Sequence, residues 1–258
     1  MQTHAVRLEH PTPEHARLVL ANAARRNALG IPELRALAKA TAELCSNPPK
    51  VLSIVAEGPA FGVGGDLRVL EQALANDSIE SWLSEAISAF NQAITQLRSL
   101  DTAIVVGVQG AAAGGTLGLV WAADHVIVAD NLQLNLAYAR IGGSPDGGTS
   151  WFLPRLVNPL RAFELFTLTP TLDAEQAVRW GLANRSVPAL VLSESVEQVA
   201  CQWLDVPTVT LRNLKQLMRD SQTSSMASHL EQELRCFLSA SKQPELATRV
   251  RNLLLKTQ

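Results

Sequence analysis

The sequence predicts an α/β fold whose C-terminal part is helical, and three observations support this. Short apolar runs at 51–56, 104–108 and 124–129 alternate with stretches of helical spacing. Two glycine-rich segments each follow an apolar run and precede a helical stretch. The last quarter of the chain is almost entirely helical in its spacing. We therefore predict a core over residues 1–192 and a helical region over 193–258.

Composition and charge exclude several classes of protein. A net charge of -2 gives neither a basic surface for nucleic acid nor an acidic tail. The cysteines, Cys45, Cys201 and Cys236, are odd in number and far apart, which indicates a reducing cytoplasm and no disulfide framework. The histidines show no metal-ligand spacing and no pairing with an acid, so no metal site is expected. Without an N-terminal apolar segment or a long uncharged apolar run, we expect a soluble cytoplasmic protein that binds no membrane.

The first half of the chain alternates strands and helices. Apolar runs bounded by turn residues predict strands at 4–9, 16–20 and 51–56. Pro32 suits the first turn of a helix that continues over 34–44, and Asn47-Pro-Pro49 stops it. Two further helices are predicted at 67–75 and 79–100.

The second half begins with a buried strand over 104–108, a turn, and a helix starting near Gly115. A strand at 124–129 and a loop at 141–148 follow. The later elements are predicted to be helices: 150–155, 163–168, 174–180 and most of 193–258. Gly181 is the expected C-cap of the helix over 174–180. The helical region over 193–258 is broken at 205–207 and 242–244.

The two glycine-rich segments are the main candidates for a functional site. They read Phe61-Gly-Val-Gly-Gly-Asp66 and Gln109-Gly-Ala-Ala-Ala-Gly-Gly115. The start of a helix carries unpaired N–H groups and the positive end of its dipole, which suits an oxygen that gains negative charge. Two N–H groups from separate turns can hold one carbonyl oxygen from two sides. The alternative is a pair of tight turns in which small residues serve packing only.

These segments resemble the crotonase, or enoyl-CoA hydratase/isomerase, superfamily. Further motifs that match it are Asp124, residues 141–156, Arg25-Arg-Asn-Ala-Leu29 and Ala174-Glu-Gln-Ala-Val-Arg-Trp-Gly-Leu182. The resemblance covers nearly the whole chain in the expected order. It implies a spiral of ββα repeats, a C-terminal helical region used for trimer contacts, and a homotrimer or hexamer. It also implies an acyl-CoA or acyl-carrier thioester as substrate, with coenzyme A entering only as part of that substrate and no other cofactor.

The resemblance assigns the oxyanion hole to the backbone N–H groups of Gly65 and Gly115. Val63, Leu67 and Gly114 belong to the same substrate-binding turns. Asp66 matches the acidic residue of the family, although capping the helix at Leu67 explains it better than catalysis does. Asp124 is expected to anchor the end of a strand.

Two arginines and several apolar residues are further candidates for substrate binding. Arg25 and Arg26 match positions that handle the phosphates and adenine of CoA in the family, and arginine suits phosphate geometry. They are equally compatible with an ordinary surface. Residues on the helices after the first turn, where the family builds its acyl pocket, are more often plain core: Leu70, Leu74, Trp82 and Phe90.

The chain departs from the family at the acid–base residues. The hydratases use two glutamates, and the positions that match them here are Gly118 and Tyr138. Neither residue can activate water and deliver a proton as a carboxylate does, so ordinary hydration is not expected. One carboxylate remains, Asp146 in Ser144-Pro-Asp-Gly-Gly148, which is similar to the Pro-Asp loop of the isomerases of phenylacetate degradation. The resemblance implies an enoyl-CoA isomerase with Asp146 as its single acid/base, in a pocket that raises the pKa of the carboxyl.

Several alternatives stay open. Asp146 could be the N-cap of the helix that follows, or a turn residue before Gly147. Tyr138 could line the acyl pocket, bond a substrate, or fill the space of a lost glutamate, and we favour pocket lining. The dehalogenase branch also has an aspartate in this loop and an aromatic residue upstream, and some decarboxylating members lack both glutamates. A non-catalytic acyl-CoA-binding protein is the remaining possibility.

Overall fold

A computed structural model of the chain describes residues 5–256, so that His4 of the predicted first strand lies outside the described residues. It contains two sheets whose strands alternate along the chain. The strands are β1 (Val6–Thr12), β2 (His15–Leu20), β3 (Val51–Ala56), β4 (Ala60–Gly62), β5 (Ala103–Val108), β6 (Ala111–Ala113), β7 (His125–Ala129), β8 (Gln133–Asn135) and β9 (Arg185–Val187).

The larger sheet has six strands in the order β1-β2-β3-β5-β7-β9. β1 is antiparallel to β2, and every other pair is parallel. All six residues of β5 are buried, as expected for a parallel strand that is covered on both faces. The predicted strand at 51–56 is confirmed residue for residue, because turn residues bound this short, largely apolar run on both sides.

The smaller sheet has three parallel strands in the order β4-β6-β8. Each of them follows one strand of the larger sheet, so that β3–β4, β5–β6 and β7–β8 form successive strand pairs, each followed by helices. The expected ββα repeat is thereby confirmed. The sequence did not predict these strands or β9, because three residues are too few to display the two-residue period of a strand.

The helices are α1 (Ile31–Ser46), α2 (Leu67–Ala75), α3 (Ile79–Ser99), α4 (Leu117–Ala122), α5 (Thr149–Leu156), α6 (Pro159–Leu168), α7 (Ala174–Arg179), α8 (Leu192–Leu204), α9 (Thr208–Asp220), α10 (Met226–Ser241) and α11 (Pro244–Lys256). The range of α2 is as predicted. Trp180 is the C-cap of α7 and Gly181 follows it with a φ of 77°. One break was missed, at residues 221–225, where Ser225 caps α10 by accepting a hydrogen bond from the Ser228 N–H.

Helices cover both faces of the larger sheet. α1 and α3 pack on the main core, which includes Leu37, Phe61 and Ile104. α8 packs on the opposite face, where Val196 contacts a second cluster built on β3, β5 and β7. The first helix of the predicted C-terminal region is therefore in contact with the sheet, and the division at residue 192 stays a prediction.

Asp124 anchors a strand end, as predicted. Its Oδ2 accepts a hydrogen bond from the Ile104 N–H at 2.8 Å and pairs with the Lys215 Nζ at 2.8 Å. Because Lys215 lies on α9, the same carboxylate ties the start of β5 to the C-terminal helices. None of the helices within residues 5–256 combines the length and the apolar character that crossing a bilayer would require.

Candidate active site

The two glycine-rich turns lie side by side. They follow β4 and β6, which are neighbouring parallel strands, so both turns emerge at the same edge of the smaller sheet. Gly64 and Gly114 have φ values of 82° and 56°, which favour glycine. A Cβ on Gly64 would lie 3.1 Å from the carbonyl oxygen of Ala113, and one on Gly114 would lie 3.6 Å from the Gly64 Cα. The turns therefore touch backbone to backbone.

Thr116 fastens the first turn to the second. Its Oγ1 accepts a hydrogen bond from the Gly64 N–H at 2.9 Å, and the residue is 0% exposed. A Cβ on Gly62 would press on the Thr116 side chain, so this close approach also needs glycine in β4. Thr116 was not among the site residues predicted from the sequence. A hydroxyl residue directly after the Gly114-Gly115 pair is the one signal that could identify it.

The segment before α1 holds the first turn from its other side. The Leu29 N–H donates to the Gly64 carbonyl at 2.8 Å, and the Asp66 N–H donates to the Leu29 carbonyl at 3.2 Å. Gly65 lies between these bonds, and its N–H has no hydrogen-bond partner within the described part of the chain. Gly65 is exposed, and a Cβ placed on it would have no atom of residues 5–256 within 4 Å. A ligand oxygen could thus reach this N–H.

Asp66 caps α2 and holds Arg25. Its Oδ1 accepts a hydrogen bond from the Arg68 N–H at 3.1 Å, and its Oδ2 pairs with the Arg25 guanidinium. Because Asp66 is buried and committed to both contacts, the capping interpretation explains it. Arg26 is exposed, and its guanidinium forms no hydrogen bond or ion pair within residues 5–256. Of the two arginines, Arg26 has the guanidinium that is available to a phosphate.

The loop after β8 brings Asp146 to the second turn. A Cβ on Gly115 would lie 2.7 Å from the Asp146 Oδ1 and 3.4 Å from the Phe90 Cε1. Phe90 is buried on α3 and also covers Gly147. The N-cap of α5 is Gly148, and the Asp146 carboxylate makes no capping bond. The alternative in which Asp146 caps α5 is therefore wrong, and its carboxylate faces Gly115 instead.

Tyr138 bonds the carboxylate of Asp146. Its hydroxyl donates to the Asp146 Oδ1 at 2.8 Å and lies 3.2 Å from the Thr149 Oγ1. Burial raises the pKa of Asp146, and the hydrogen bond from Tyr138 opposes that rise. Burial, and then the charge of Asp146, raise the pKa of Tyr138, so the phenol stays protonated. Pocket lining was the role favoured for this tyrosine from the sequence, and the bond to Asp146 was not foreseen.

Gly118 has no room for a side chain. A Cβ there would overlap the carbonyl oxygen of Gly147, because the loop that carries Asp146 lies directly on α4. A glutamate at this position would require a different path of the loop. The present path of the loop that carries Asp146 therefore requires glycine at position 118.

The other predicted site residues differ in their exposure. Val63 is half-buried, and Leu67 is exposed at the first turn of α2. Of the suggested pocket residues, Phe90 is buried beside Asp146, Leu70 and Trp82 are half-buried, and Leu74 is exposed.

The expectation that no histidine pairs with an acid is wrong. His229 lies 3.7 Å from Glu233 one turn further along α10, and His15 contacts the Ser53 Oγ at 2.9 Å and Glu197 at 3.9 Å. Ser53 is 0% exposed within β3, so the cluster of Ser53, His15 and Glu197 is a structural contact with α8 and no nucleophile. Residues 5–256 contain no cluster of three or more side chains that could hold a metal ion.

Comparison with known proteins supports a relationship to acyl-CoA enzymes. A carnitinyl-CoA dehydratase of Citrobacter koseri is 34% identical over 49% of this chain and 48% of that protein. A 1,2-epoxyphenylacetyl-CoA isomerase of Escherichia coli is 31% identical over 56% of this chain and 55% of that protein. The chain therefore spans about half the length of these two relatives. A 4-chlorobenzoyl coenzyme A dehalogenase of an Arthrobacter species is 26% identical over 76% of this chain and 71% of that protein.

Solved structures match over nearly the full length. An enoyl-CoA hydratase from a Polaromonas species superposes with a TM-score of 0.88 at 26% identity, covering 97% of both chains. A candidate enoyl-CoA hydratase from Thermobifida fusca in complex with acetoacetyl-CoA superposes with a TM-score of 0.83 at 26% identity, covering 93% of this chain and 95% of that one. The predicted fold class is confirmed by these matches. The family profile described as enoyl-CoA hydratase/isomerase matches residues 16–250, and the chain therefore belongs to the enoyl-CoA hydratase/isomerase family.

Proposed function

We propose that this protein is an enoyl-CoA isomerase that uses Asp146 as its only acid/base. The observation that carries the proposal is the position of the Asp146 Oδ1 against Gly115, where Tyr138 bonds it. The family resemblance adds that Gly118 and Tyr138 match the positions of the two hydratase glutamates. One carboxyl group beside an oxyanion hole is sufficient for moving a double bond, whereas the hydratases of the family use two.

The reaction follows from the groups present. The thioester carbonyl oxygen accepts hydrogen bonds from the backbone N–H groups of Gly65 and Gly115. Asp146 takes a proton from C2 of a 3-enoyl thioester, and the electron pair of the broken C–H bond enters a dienolate held by the two N–H groups. The same carboxyl then returns the proton at C4, which leaves a double bond between C2 and C3. Two such donors contribute several kcal/mol, on the order of 3 kcal/mol each, to stabilising the intermediate.

The raised pKa of Asp146 suits this task. Carbon acids alpha to a thioester are weak, and a base is more effective when its pKa lies nearer the operating pH. Phe90 and the buried Tyr138 ring remove water from one side of the carboxyl, and burial is the main cause of the rise. Asp146 forms no ion pair with a cation in the described part of the chain, so no positive charge counteracts it.

The substrate is proposed to be an acyl-CoA or an acyl-carrier thioester, bound across the two turns. Val63, Leu67 and Gly114 would contact its thioester end. Arg26 is the better candidate for the phosphates because its guanidinium is unpaired among the described residues, whereas Arg25 would have to leave Asp66. The acetoacetyl-CoA complex of the Thermobifida fusca protein supports an acyl-CoA ligand for this fold.

A second candidate is a dehalogenase-type reaction in which Asp146 attacks an aromatic ring as a nucleophile. The similarity to a 4-chlorobenzoyl coenzyme A dehalogenase and the aromatic side chain that bonds Asp146 favour it. The Pro145 and Gly-Gly sequence of the loop fits the isomerase interpretation better.

The decisive experiment replaces Asp146 with asparagine, which keeps the shape and removes the base. Wild type should convert a 3-enoyl-CoA to the 2-enoyl isomer and introduce deuterium from heavy water, both followed by proton NMR. Asp146→Asn should lower the rate by about 100-fold or more, with thioester binding retained in calorimetry. Asp205→Asn, a matched change at an exposed position, should leave the rate unchanged. A wild-type protein that never moves the double bond would exclude the isomerase, and release of halide from an aryl-CoA would favour the second candidate.

A further inference from the structure

We propose that Tyr138 and Thr149 form a hydrogen-bond relay that holds the Asp146 carboxyl against Gly115 in both of its protonation states. The inference rests on the proposed function only in that Asp146 gains and loses a proton during turnover. Tyr138 and Thr149 act through Asp146 and are therefore positioning residues.

The ionised state is the one in which Tyr138 donates to Asp146. The phenolic O–H points at the Oδ1 at 2.8 Å, which is the carboxylate oxygen nearer Gly115. The Thr149 hydroxyl donates to the main-chain oxygen of Asp146 at 2.9 Å, and the Thr149 N–H donates to the same oxygen at 3.0 Å. Each hydroxyl hydrogen then has one acceptor.

The protonated state requires Tyr138 to turn its hydrogen elsewhere. When the Oδ1 carries a proton, it becomes a donor to the phenolic oxygen, and the phenol must find another acceptor for its single hydrogen. The Thr149 Oγ1 lies 3.2 Å away and still has free lone pairs, because its own hydrogen is given to Asp146. The alternative acceptor, the Asp146 carbonyl oxygen, is more distant at 3.4 Å. Rotation of one O–H bond thus satisfies both states without moving a heavy atom.

Because the groups around Asp146 are buried, the hydrogen bonds of Tyr138 and Thr149 are the main local control on its proton. Tyr138 is 7% exposed, and its ring packs against Phe166 with centroids 6.1 Å apart. Thr149 is fully buried at the start of α5, and Phe90 faces the carboxyl from α3. Tyr138 is the titratable group that acts on Asp146 among residues 5–256, since these neighbours bring no other charge. A buried carboxyl without the relay would lose its partner in one of its two states.

The test compares substitutions that remove opposite ends of the relay. Tyr138→Phe removes the partner of the carboxyl in both states, and because the hydrogen bond to the charged carboxylate is the stronger of the two, the pKa of Asp146 should rise by about 1. Thr149→Val removes the acceptor that the phenol needs when Asp146 is protonated, and should lower the pKa of Asp146. Thr149→Ser keeps the hydroxyl and should leave the pKa unchanged. Should Thr149→Val fail to fold, Thr149→Cys, whose sulfur is a weak acceptor, should shift the pKa in the same downward direction.

The pKa is measured without substrate, by carbon-13 NMR of labelled aspartate, with the Asp146 signal assigned from its loss in Asp146→Asn. Shifts of opposite sign support the relay, and so does a fall of about tenfold in kcat with KM nearly unchanged in both variants. Shifts of the same sign, or no shift in Thr149→Val, overturn the relay, because a proton held on the Oδ2 or a space-filling role would give that result. The titration needs no turnover. A protein without isomerase activity would contradict the proposed function, and the pKa shifts would still test the relay.

Discussion

Asp146 is the residue on which the proposed chemistry depends, and its burial has a consequence for the pH dependence. The carboxyl must be ionised to accept a proton, and burial raises its pKa above the ordinary value of 3.8. The protonated, inactive fraction grows as pH falls through this raised pKa. We therefore expect kcat/KM to fall on the acid side with a midpoint above 3.8. Tyr138 should add no loss of activity on the alkaline side at moderate pH, because its pKa is raised as well.

The measurement is a profile of kcat/KM from about pH 3 to about pH 9. Tyr138→Phe serves as an internal check, since the removal of its hydrogen bond should move the acid midpoint upward. A midpoint at or below 3.8 in the wild type would contradict the burial argument.

Single residues differ in how well the sequence predicts them. Asp146 could be identified as a candidate because Gly118 and Tyr138 match the glutamate positions of the family that this chain resembles, which leaves one carboxylate in the matching loop. The contact of that loop with Gly118 and the bond from Tyr138 could not be found. Both depend on the path of residues 142–148 over α4, and no local pattern in the sequence encodes that path.

Among the elements, the smaller sheet is what positions the site. β4, β6 and β8 lie parallel, and each leads at its carboxyl end into one part of the site: Gly65, Gly115 and the Tyr138–Asp146 loop. Sequence periodicity identified the helices and the long strands that surround this sheet and missed its three-residue strands. The site turns were nevertheless recognised, because glycine clusters mark them independently of the strands.

The Thr116 Oγ1 joins the two turns, and removing it should impair the proposed oxyanion hole. Thr116→Val leaves the Gly64 N–H buried without an acceptor, which costs about 1 to 3 kcal/mol. The first turn should relax away from the second, so we expect kcat to fall by about tenfold or more and the melting temperature to fall with it.

Thr116→Ser is the matched control, because it retains the hydroxyl that accepts from Gly64. Isomerase kinetics and thermal unfolding of both variants would be measured together. Equal activity of Thr116→Val and wild type would mean that the turns keep their spacing without this bond.

The contact between α4 and the Asp146 loop depends on Gly118. In Gly118→Ala the new methyl group would overlap the Gly147 carbonyl, and the loop must move to admit it. Since the carboxyl proposed as the acid/base belongs to that loop, we expect a loss of activity of about 100-fold with the protein still folded. For the same reason, Gly118→Glu should not create a hydratase.

Gly143→Ala provides the comparison within the same loop. A Cβ at Gly143 would make only ordinary contacts of 3.5 Å with the Ile141 side chain, so its activity should stay close to wild type. Activity and circular dichroism of the two alanine variants would separate loop displacement from unfolding. Full activity in Gly118→Ala would show that the loop tolerates movement and that its close packing is not required.

Many large apolar side chains of this protein are exposed and do not take part in its core. Large apolar side chains are exposed along α9, α10 and α11 and on α6: Leu160, Phe163, Leu168, Leu214, Met218, Met226, Leu230, Leu234, Phe237, Leu238 and Val250. Large exposed apolar surface is typical of protein–protein interfaces, so we expect partner chains to cover part of it. The prediction of a trimer or hexamer rests on the family resemblance alone. Helical periodicity in a sequence cannot tell which apolar stripe faces the core and which faces a partner.

α10 supplies the sharpest test of self-association. Leu230, Leu234 and Phe237 recur at spacings of four and three residues, so they form one stripe on the helix, and Phe237 is 68% exposed. We expect the wild type to have about three or six times the chain mass of 27.8 kDa in light scattering after gel filtration.

Phe237→Glu should dissociate the oligomer, because a charge buried at an apolar interface without a partner is strongly unfavourable. Ser228→Glu adds the same charge about 180° around the helix and should preserve the oligomer. A wild type that remains monomeric at micromolar concentration would mean that this stripe is solvated, and the trimer implied by the family would not hold for this chain.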